Sequence, residues 1–242
     1  MAARPRSDLH RVLDRPLLRR ILTGPQSVGP DTEDAVRAAA ELTAAGSPVA
    51  LEHVPGPRAD VAAELADLIG RVHAAGLAPS CELTLPVGCL ASTAVRALAA
   101  TAGNAGLAVV LTGPSGAVDA LAAVLRGAGV VVPAGEADAE ARCRALADGR
   151  VRLTQGRAAA ADLAFVRCLN VLMTGSGHPS IAATDPRLIA ITGERAAWNG
   201  RAPDSWEHVM PFRVRTEEQQ RLAAAGYTVR VGVRSGHAGV RA

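Results

Sequence analysis

Short segments rich in valine, leucine and isoleucine alternate with alanine- and leucine-rich helical stretches along most of this chain. Neighbouring parallel strands need a crossover connection, usually a helix, so this alternation is typical of a parallel sheet. Eight such units can close into an α/β fold, the (β/α)8 TIM-like barrel, which leaves no open strand edge. The predicted strands are Pro48–His53, Ser80–Leu85, Leu107–Thr112, Gly129–Pro133, Arg150–Gln155, Ser180–Thr184, Glu207–Phe212 and Thr228–Val233.

A doubly wound open sheet shows the same alternation and is the alternative fold. That fold ordinarily carries a glycine-rich phosphate turn after its first strand. Here the first strand is followed by Val54, Pro55, Gly56 and Pro57, which make a poor phosphate turn. The sequence therefore favours the barrel.

Capping residues and glycines predict where the helices begin and end. Thr32 is predicted to cap a helix that runs to Leu42, with Glu33 and Asp34 in the first turn, where carboxylates suit the helix dipole. Gly46 is expected to end this helix. Further helices are predicted at Asp60–Ala75, Ser92–Ala102, Ala117–Arg126, Ala137–Ala147 and Glu217–Ala225.

Length and composition predict one domain over residues 1–242, with a basic leader at residues 1–22. Hydrophobic residues make up 49% of the chain and aromatic residues only 2%, so alanine, valine and leucine must fill the core. The chain contains no lysine, which excludes Schiff-base chemistry and a P-loop lysine. The short motifs of α/β-hydrolases, zinc proteases and dinucleotide-binding enzymes do not occur either.

Charge and cysteine usage limit the expected partners and compartment. The net charge is +3, the arginines are scattered and aromatic residues are few, so nucleic acid is not an expected partner. No apolar run approaches the roughly 18 residues of a membrane span, and the amino terminus lacks an apolar secretory segment. Cys81, Cys89, Cys143 and Cys168 show no C-x-x-C spacing, which predicts reduced thiols in a cytoplasmic protein and no metal site.

Two predicted strands carry a recognisable pattern. Val151, Arg152, Leu153 and Gly156 keep the frame V-R-L-x-x-G, and residues 179–189 read PSIAATDPRLI. This region resembles the proline dehydrogenase family, whose matching strands usually read V-R-L-V-K-G-A-Y and P-x-I-A-T-H-D-P-R-L-I. Weaker matches in the same order extend the resemblance from Thr23 onward. The resemblance implies a barrel that holds FAD at its carboxyl-terminal mouth and oxidises L-proline to 1-pyrroline-5-carboxylate.

The resemblance assigns roles to individual positions. Arg152, Gln155, Gly156 and Thr184 fall where the family contacts FAD, although Gln155 replaces a lysine and Thr184 replaces a histidine. Glu82 falls at the second-strand lysine that contacts the substrate. These replacements predict weak or absent FAD binding and leave no residue assigned as catalytic.

Further substitutions fall at other functional positions of the family, and Pro133 is a third replaced flavin contact beside Gln155 and Thr184. Leu111 and Pro133 replace an acid and a glutamine, and Ala158 and Gly232 replace two tyrosines. The final outer helix, which carries the family's paired arginines, is expected to be missing, because the sequence ends at Ala242. The apolar face of strand eight is then expected to stay exposed, which favours association into a homo-oligomer.

Several charged residues have two interpretations. Arg152 is either a flavin contact or a barrel-interior charge paired with Glu207 or Glu82. Arg213 and Arg234, at the ends of strands seven and eight, are predicted to bind a small anionic ligand, and a solvated rim is the alternative. Two strand histidines, His53 and His208, are predicted to be core residues.

Three functions remain open on these residues. The first is a divergent flavoenzyme of the proline dehydrogenase family. The second is a catalytically inactive homologue that acts as a binding or regulatory barrel. The third is a barrel repurposed for another small anionic substrate, which Arg152, Arg213 and Arg234 would bind.

Overall fold

The computed structural model describes residues 27–29, 31–56, 60–156 and 161–236, so the predicted basic leader lies outside the described residues. Within these ranges, eight parallel strands pair in sequence order, and the eighth pairs with the first to close a barrel. The predicted (β/α)8 barrel is therefore confirmed, and the open sheet is excluded. The strands are β1 (Val49–Val54), β2 (Cys81–Pro86), β3 (Ala108–Thr112), β4 (Gly129–Pro133), β5 (Val151–Thr154), β6 (Ser180–Ala182), β7 (Glu207–Pro211) and β8 (Val229–Gly236).

The described helices alternate with the strands, and the first of them precedes β1. Three helices are shorter than predicted: the second spans Val61–Ala74, the fourth ends at Ala122 rather than Arg126, and the fifth ends at Ala145 rather than Ala147. The helices are α1 (Thr32–Ala44), α2 (Val61–Ala74), α3 (Ser92–Asn104), α4 (Ser115–Ala122), α5 (Ala139–Ala145), α6 (Ala161–Thr174), α7 (Pro186–Trp198) and α8 (Thr216–Ala224).

The start of α1 differs from the prediction by one residue. Asp31 occupies the cap position, and Thr32 is the first helical residue. The Thr32 hydroxyl instead donates a hydrogen bond to Asp67 of α2 at 2.6 Å, so it ties two helices together rather than capping one. The end of α1 follows the prediction, because Gly46 adopts a φ of 83° and its N–H donates to the carbonyl of Thr43.

Side chains alternate between the two faces of each strand. The faces that meet the helices are apolar and closed to solvent, as Leu51, Leu83 and Leu153 illustrate. Most of the buried hydrophobic residues are leucine, valine and alanine, which confirms the core predicted from the low aromatic content. The faces that line the barrel interior carry small, polar or charged residues.

Helix α1 covers the side of β8 that was expected to be exposed. It packs against β8, β1 and α2. Val229, Val231 and Val233 of β8 are consequently buried. The expectation of an exposed strand eight was wrong, because a helix that precedes β1 in sequence lies where β8 meets β1. The segment at residues 237–242, where a helix after β8 would begin, lies outside the described residues.

Two buried histidines lie on the strand faces that meet the helices. The ring nitrogens of His53 each lie 2.9 Å from a partner, one from Ser235 Oγ and the other from a Glu64 carboxylate oxygen. His208 packs edge-on against Trp206, with ring centroids 4.7 Å apart. Burial lowers the pKa of His208 to about 4, so this ring is neutral in the folded protein near neutral pH. Both histidines are core residues, as predicted.

The packing of α1 on β8 predicts a strong effect of charge at one alanine. Ala39 is 0% exposed, and Ala39→Asp would place an unpaired carboxylate between the helix and the sheet. We expect a loss of about 3 kcal/mol or more in the free energy of unfolding, measured by urea denaturation. Ala40→Asp, one residue further along the same helix and exposed, is the matched control. Equal stability of the two variants would show that α1 does not cover β8.

The neutral state of His208 predicts a pH dependence of stability. Its folded pKa of about 4 lies below the usual histidine pKa of 6.5, so the unfolded chain binds more protons between these two values. Stability therefore falls as the pH is lowered through this window, by about 2 kcal/mol between pH 7 and pH 5 from this group alone. His208→Phe should lose this component in urea titrations at the two pH values. An unchanged pH slope in the variant would contradict the assignment.

Candidate functional site

The barrel interior holds a buried cluster of charged side chains, with Glu82 of β2 at its centre. Glu82 is 1% exposed. Its Oε1 forms an ion pair with Arg152 of β5 and lies 3.3 Å from Arg230 Nε of β8. Its Oε2 lies 2.9 Å from Arg150 Nη2, at the residue before β5. One carboxylate thus joins three guanidinium groups across the barrel.

Glu207 of β7 extends this interior cluster. Its Oε1 lies 2.9 Å from Arg230 Nε and accepts a hydrogen bond from the Ser180 hydroxyl at 2.6 Å. Burial is the largest influence on this carboxyl and opposes its ionisation. The hydrogen bonds and charge of Arg230 and the bond from Ser180 outweigh burial, so the pKa of Glu207 lies below its usual value. Both carboxylates of the cluster therefore have cationic partners.

Arg152 is enclosed by the interior cluster rather than presented to solvent. Its side chain is 9% exposed, and Nη1 donates to Thr84 Oγ1 at 3.4 Å. Burial lowers the pKa of Arg152 to about 10, which still leaves it protonated at neutral pH. The interpretation of Arg152 as an interior charge paired with Glu82 is thus observed. Its role as a flavin contact stays a prediction, and so does the role of Glu82 as a substrate contact.

The carboxyl-terminal ends of the strands form the mouth of the barrel, and several carry proline. Pro86, Pro133 and Pro211 end β2, β4 and β7 at positions that share the inward face of their strands. Thr112 and Thr154 end β3 and β5. Proline has no N–H group and no polar side chain. These five strand ends therefore contribute three rings without donors and two hydroxyl groups to the mouth.

Arg234 supplies positive charge at this mouth. It lies on β8, and its Nε is 3.8 Å from Glu52 Oε1 on the neighbouring β1. The two side chains are 27% and 51% exposed, and a pair of this length in solvent contributes little stability. The guanidinium of Arg234 consequently keeps donors for an anionic ligand. Its predicted role in ligand binding stays a prediction.

Arg213 lies further out, after β7. Its side chain is exposed, its φ is 58°, and its guanidinium carbon is 4.8 Å from the ring centroid of Phe212. It lines a small cavity of about 150 Å³ together with Asp34 and Arg37 of α1. The structure therefore places Arg213 beside α1, whereas Arg234 lies on β8 next to Glu52. Its role in substrate binding also remains a prediction.

The predicted flavin contacts after β5 and β6 are only partly available. Gln155 donates its amide N–H to Asp162 Oδ1 at 3.2 Å, which uses one of its donors. Gly156 and Thr184 are partly exposed at the ends of their strands. The structure gives Gln155 a protein partner, and it shows no described hydrogen bond from the Thr184 side chain.

Arg150, Arg230 and Ser180 belong to the interior cluster and were not predicted. A signal for the first two exists in the sequence. Side chains alternate between the two faces of a strand. Arg150 therefore shares a face with Arg152, two residues later, and Arg230 shares a face with Arg234, four residues later. Strand tilt and stagger decide which carboxylate each arginine reaches, and these do not follow from one strand alone.

The described residues do not fit the flavin site that the resemblance implies. The guanidinium of Arg152 is turned toward Glu82 and Thr84, beneath the mouth. The neighbouring strand ends at Pro86 and Pro133 provide rings in place of donors. A flavin ring needs hydrogen bonds to its polar edge as well as apolar contact. In the part of the chain that the structure describes, Pro86 and Pro133 offer no donor for that edge, and the polar groups at the mouth include Thr112, Thr154 and Arg234.

The described residues contain neither a membrane-spanning helix nor a metal-binding group. No described helix is long and apolar enough to cross a membrane. The described histidine, cysteine, aspartate and glutamate residues include no group of three that could hold a metal ion. The four cysteines are free, and Cys89 is the exposed one.

The fold and interior define a closed parallel barrel with a charged centre, and solved structures of the same shape exist. No family model and no curated protein matches the sequence. Proline utilization A from Bdellovibrio bacteriovorus, inactivated by N-propargylglycine, matches with a TM-score of 0.76 at 11% identity over 91% of this chain. A mutant of proline utilization A from Bradyrhizobium japonicum gives 0.69 at 16% identity over 98%. The Corynebacterium freiburgense protein of the same name gives 0.61 at 14% identity over 94%.

These matches show the fold of the chain. Each covers only 32% or 33% of the solved protein, so this chain spans about a third of their length. Proteins named for proline utilization thus contain the same (β/α)8 barrel. The sequence predicts this barrel from the strand–helix alternation and from the V-R-L frame at Val151–Leu153.

The centre of the cluster predicts a large effect of one substitution. Glu82→Gln would leave Arg150, Arg152 and Arg230 with Glu207 as their remaining carboxylate in the described cluster. We expect about 3 kcal/mol or more of lost unfolding free energy in urea, because buried cations would lack a counter-charge. Glu52→Gln at the exposed mouth should change stability by no more than about 0.5 kcal/mol. Equal effects of the two variants would contradict the structural role of the cluster.

Proposed function

We propose that this chain is a divergent relative of the proline dehydrogenases whose barrel binds a small anionic ligand at its carboxyl-terminal mouth. Oxidation of L-proline to 1-pyrroline-5-carboxylate is weak or lost in this proposal. The sequence frame around Arg152 and the structural likeness to proline utilization A support the descent. The reduced cysteines and the absence of a described membrane-spanning helix are compatible with a cytoplasmic protein.

The proposal of an anionic ligand depends on the position and the partners of Arg234. It is the inward-facing arginine of β8 nearest the mouth, it is partly exposed, and its pairing with Glu52 at 3.8 Å is loose. A guanidinium presents forked donors that match a carboxylate or phosphate. The sites of parallel barrels gather at this end, because the loops after all strands converge there while the interior is packed.

The same geometry argues against efficient proline oxidation. Glu82 stands where the family has a substrate-binding lysine, and it is held in ion pairs inside the barrel. A charge-assisted hydrogen bond contributes roughly 1.5–3 kcal/mol, and millimolar binding requires only about 4 kcal/mol in total. Loss of one or two such contacts is therefore enough to remove proline binding. FAD, the cofactor that the resemblance implies, is proposed to bind weakly or not at all.

A catalytically inactive barrel that serves binding or regulation is the second candidate. The burial of Arg152 favours this candidate. Arg152 lies in the frame that resembles the family, and here it forms an ion pair with Glu82. A third candidate, turnover of a different small anionic substrate, would use the same mouth and Arg234. Exposed apolar side chains at Val124, Leu163 and Trp198 support the proposal of a homo-oligomer.

The absorption spectrum of the purified protein tests the cofactor part of this proposal. We expect a colourless protein that shows no stoichiometric flavin after incubation with FAD and no proline-dependent reduction of an electron-accepting dye. A yellow protein with tight, stoichiometric FAD and proline turnover would establish a working flavoenzyme and overturn the proposal.

Ligand binding at the mouth is tested by titration with succinate and with L-proline, followed by calorimetry. We expect succinate to bind at Arg234, because the forked donors of a guanidinium match a carboxylate, and L-proline is the comparison ligand. Arg234→Gln should weaken succinate binding about tenfold or more, while Arg96→Gln on the outer face of α3 should not. Unchanged binding in Arg234→Gln would remove Arg234 from the site.

A further inference from the structure

A groove of about 710 Å³ opens at the amino-terminal end of the barrel, opposite the mouth. Helix α4 and the loops that precede β4, β5 and β6 form its walls. Its volume lies within the roughly 300–1,000 Å³ that small-molecule sites occupy. Nothing in the proposed function of the mouth uses this groove.

The groove is lined by both apolar and polar side chains. Ala122, Leu125 and Leu146 provide apolar surface. Asp148 also lines the groove, and its Oδ1 accepts hydrogen bonds from the Ser176 N–H at 3.2 Å and from the Ser176 hydroxyl at 2.6 Å. Such a mixture of apolar and polar surface suits an amphipathic small molecule.

Arg201 holds the loops around the groove in a fixed arrangement. Its guanidinium donates to the carbonyls of Gly175 at 2.7 Å, Gly177 at 2.6 Å and Ser205 at 2.5 Å. Gly177 packs so closely on the loop before β5 that an added Cβ would lie 2.2 Å from the carbonyl oxygen of Gly149. The wall is therefore preformed, and a ligand would pay little conformational entropy to order it.

Positive charge reaches the groove through Arg150. In the cluster as described, three guanidinium groups face two carboxylates, which leaves an excess of one positive charge. The side chain of Arg150 is 34% exposed, against 9% for Arg152 and 15% for Arg230. Arg150 lines the groove, and beyond Glu82 its further described contact is a long one, 3.5 Å from Nη1 to the Gly127 carbonyl.

The other charged side chains along the groove have described partners, although the bonds from Ser176 lower the pKa of Asp148 and leave it negatively charged. Asp119 forms a bidentate pair with Arg142 at 2.8 and 3.0 Å, which neutralises it. Asp148 is bound to Ser176 as described above, and His178 Nε2 lies 3.2 Å from the carbonyl of Asp204. Arg150 is thus the described cation of the groove with donors left for a ligand.

We propose that this groove binds a small amphipathic carboxylate, with the carboxylate on Arg150 and the apolar tail along Ala122, Leu125 and Leu146. The guanidinium of Arg150 spans the groove and the barrel interior, so a bound anion balances the excess charge of the interior cluster. The site is distinct from the mouth, which lies at the other end of the barrel.

Octanoate and 1-octanol are the probes, because they share an apolar tail and differ in charge. Isothermal titration calorimetry should show octanoate binding at least about tenfold more tightly than 1-octanol, the difference that one charge-assisted contact supplies. Arg150→Gln should weaken octanoate binding about ten- to hundredfold, and Arg150→Lys should restore part of it. Equal affinity for the two probes in the wild-type protein would overturn the proposal.

Two further variants locate the binding and keep the test decisive if Arg150→Gln does not fold. Ala122→Trp fills the groove without touching the ion cluster and should abolish octanoate binding. Arg234→Gln at the mouth should leave octanoate binding unchanged. Octanoate binding that survives Ala122→Trp, or that falls in Arg234→Gln as in Arg150→Gln, would assign the ligand to another surface and overturn the proposal.

Discussion

The carboxylate of Glu82, held by three arginines inside the barrel, is the interaction on which the rest of the structure depends. Transfer of these charges from water is unfavourable, and mutual attraction offsets the cost only while the partners are all in place. The contacts connect β2 with β5 and β8, on different sides of the barrel. These ion pairs therefore connect strands across the barrel interior, whereas apolar packing connects the strands with the helices outside. Arginine suits this role, because each fork can reach two oxygens, and the chain has no lysine.

The cluster also separates the two ends of the barrel. Above it, the mouth has rings and hydroxyls from the strand ends, with Arg234 as the exposed cation on β8. Below it, Arg150 carries the excess positive charge toward the amino-terminal groove. The cluster itself has three guanidinium groups and two carboxylates, so its net charge is positive. The same buried charges thus favour anionic ligands at two places that share no described side chain.

The sequence predicts most of the fold and less of the site, and the difference has a physical origin. Strand positions follow from local apolar runs, and helix ends from local signals such as Gly46. The cover over β8 was missed because α1 is distant in sequence from that strand and meets it only on closure of the barrel. The interior cluster was found in part: the pair of Arg152 with Glu82 was considered, but Arg150 and Arg230 were not. Partners across a barrel depend on its tilt and stagger, which a single strand does not encode.

The resemblance of the sequence around Arg152 to the proline dehydrogenases therefore supports a fold more than an activity. A buried arginine paired with Glu82 cannot be replaced without leaving an unpaired charge, whatever the protein does at its mouth. Residues at the mouth are partly exposed and can change at small cost in stability. The frame around Arg152 is thus tied to the fold, whereas the anion binding that we propose depends on Arg234 at the mouth.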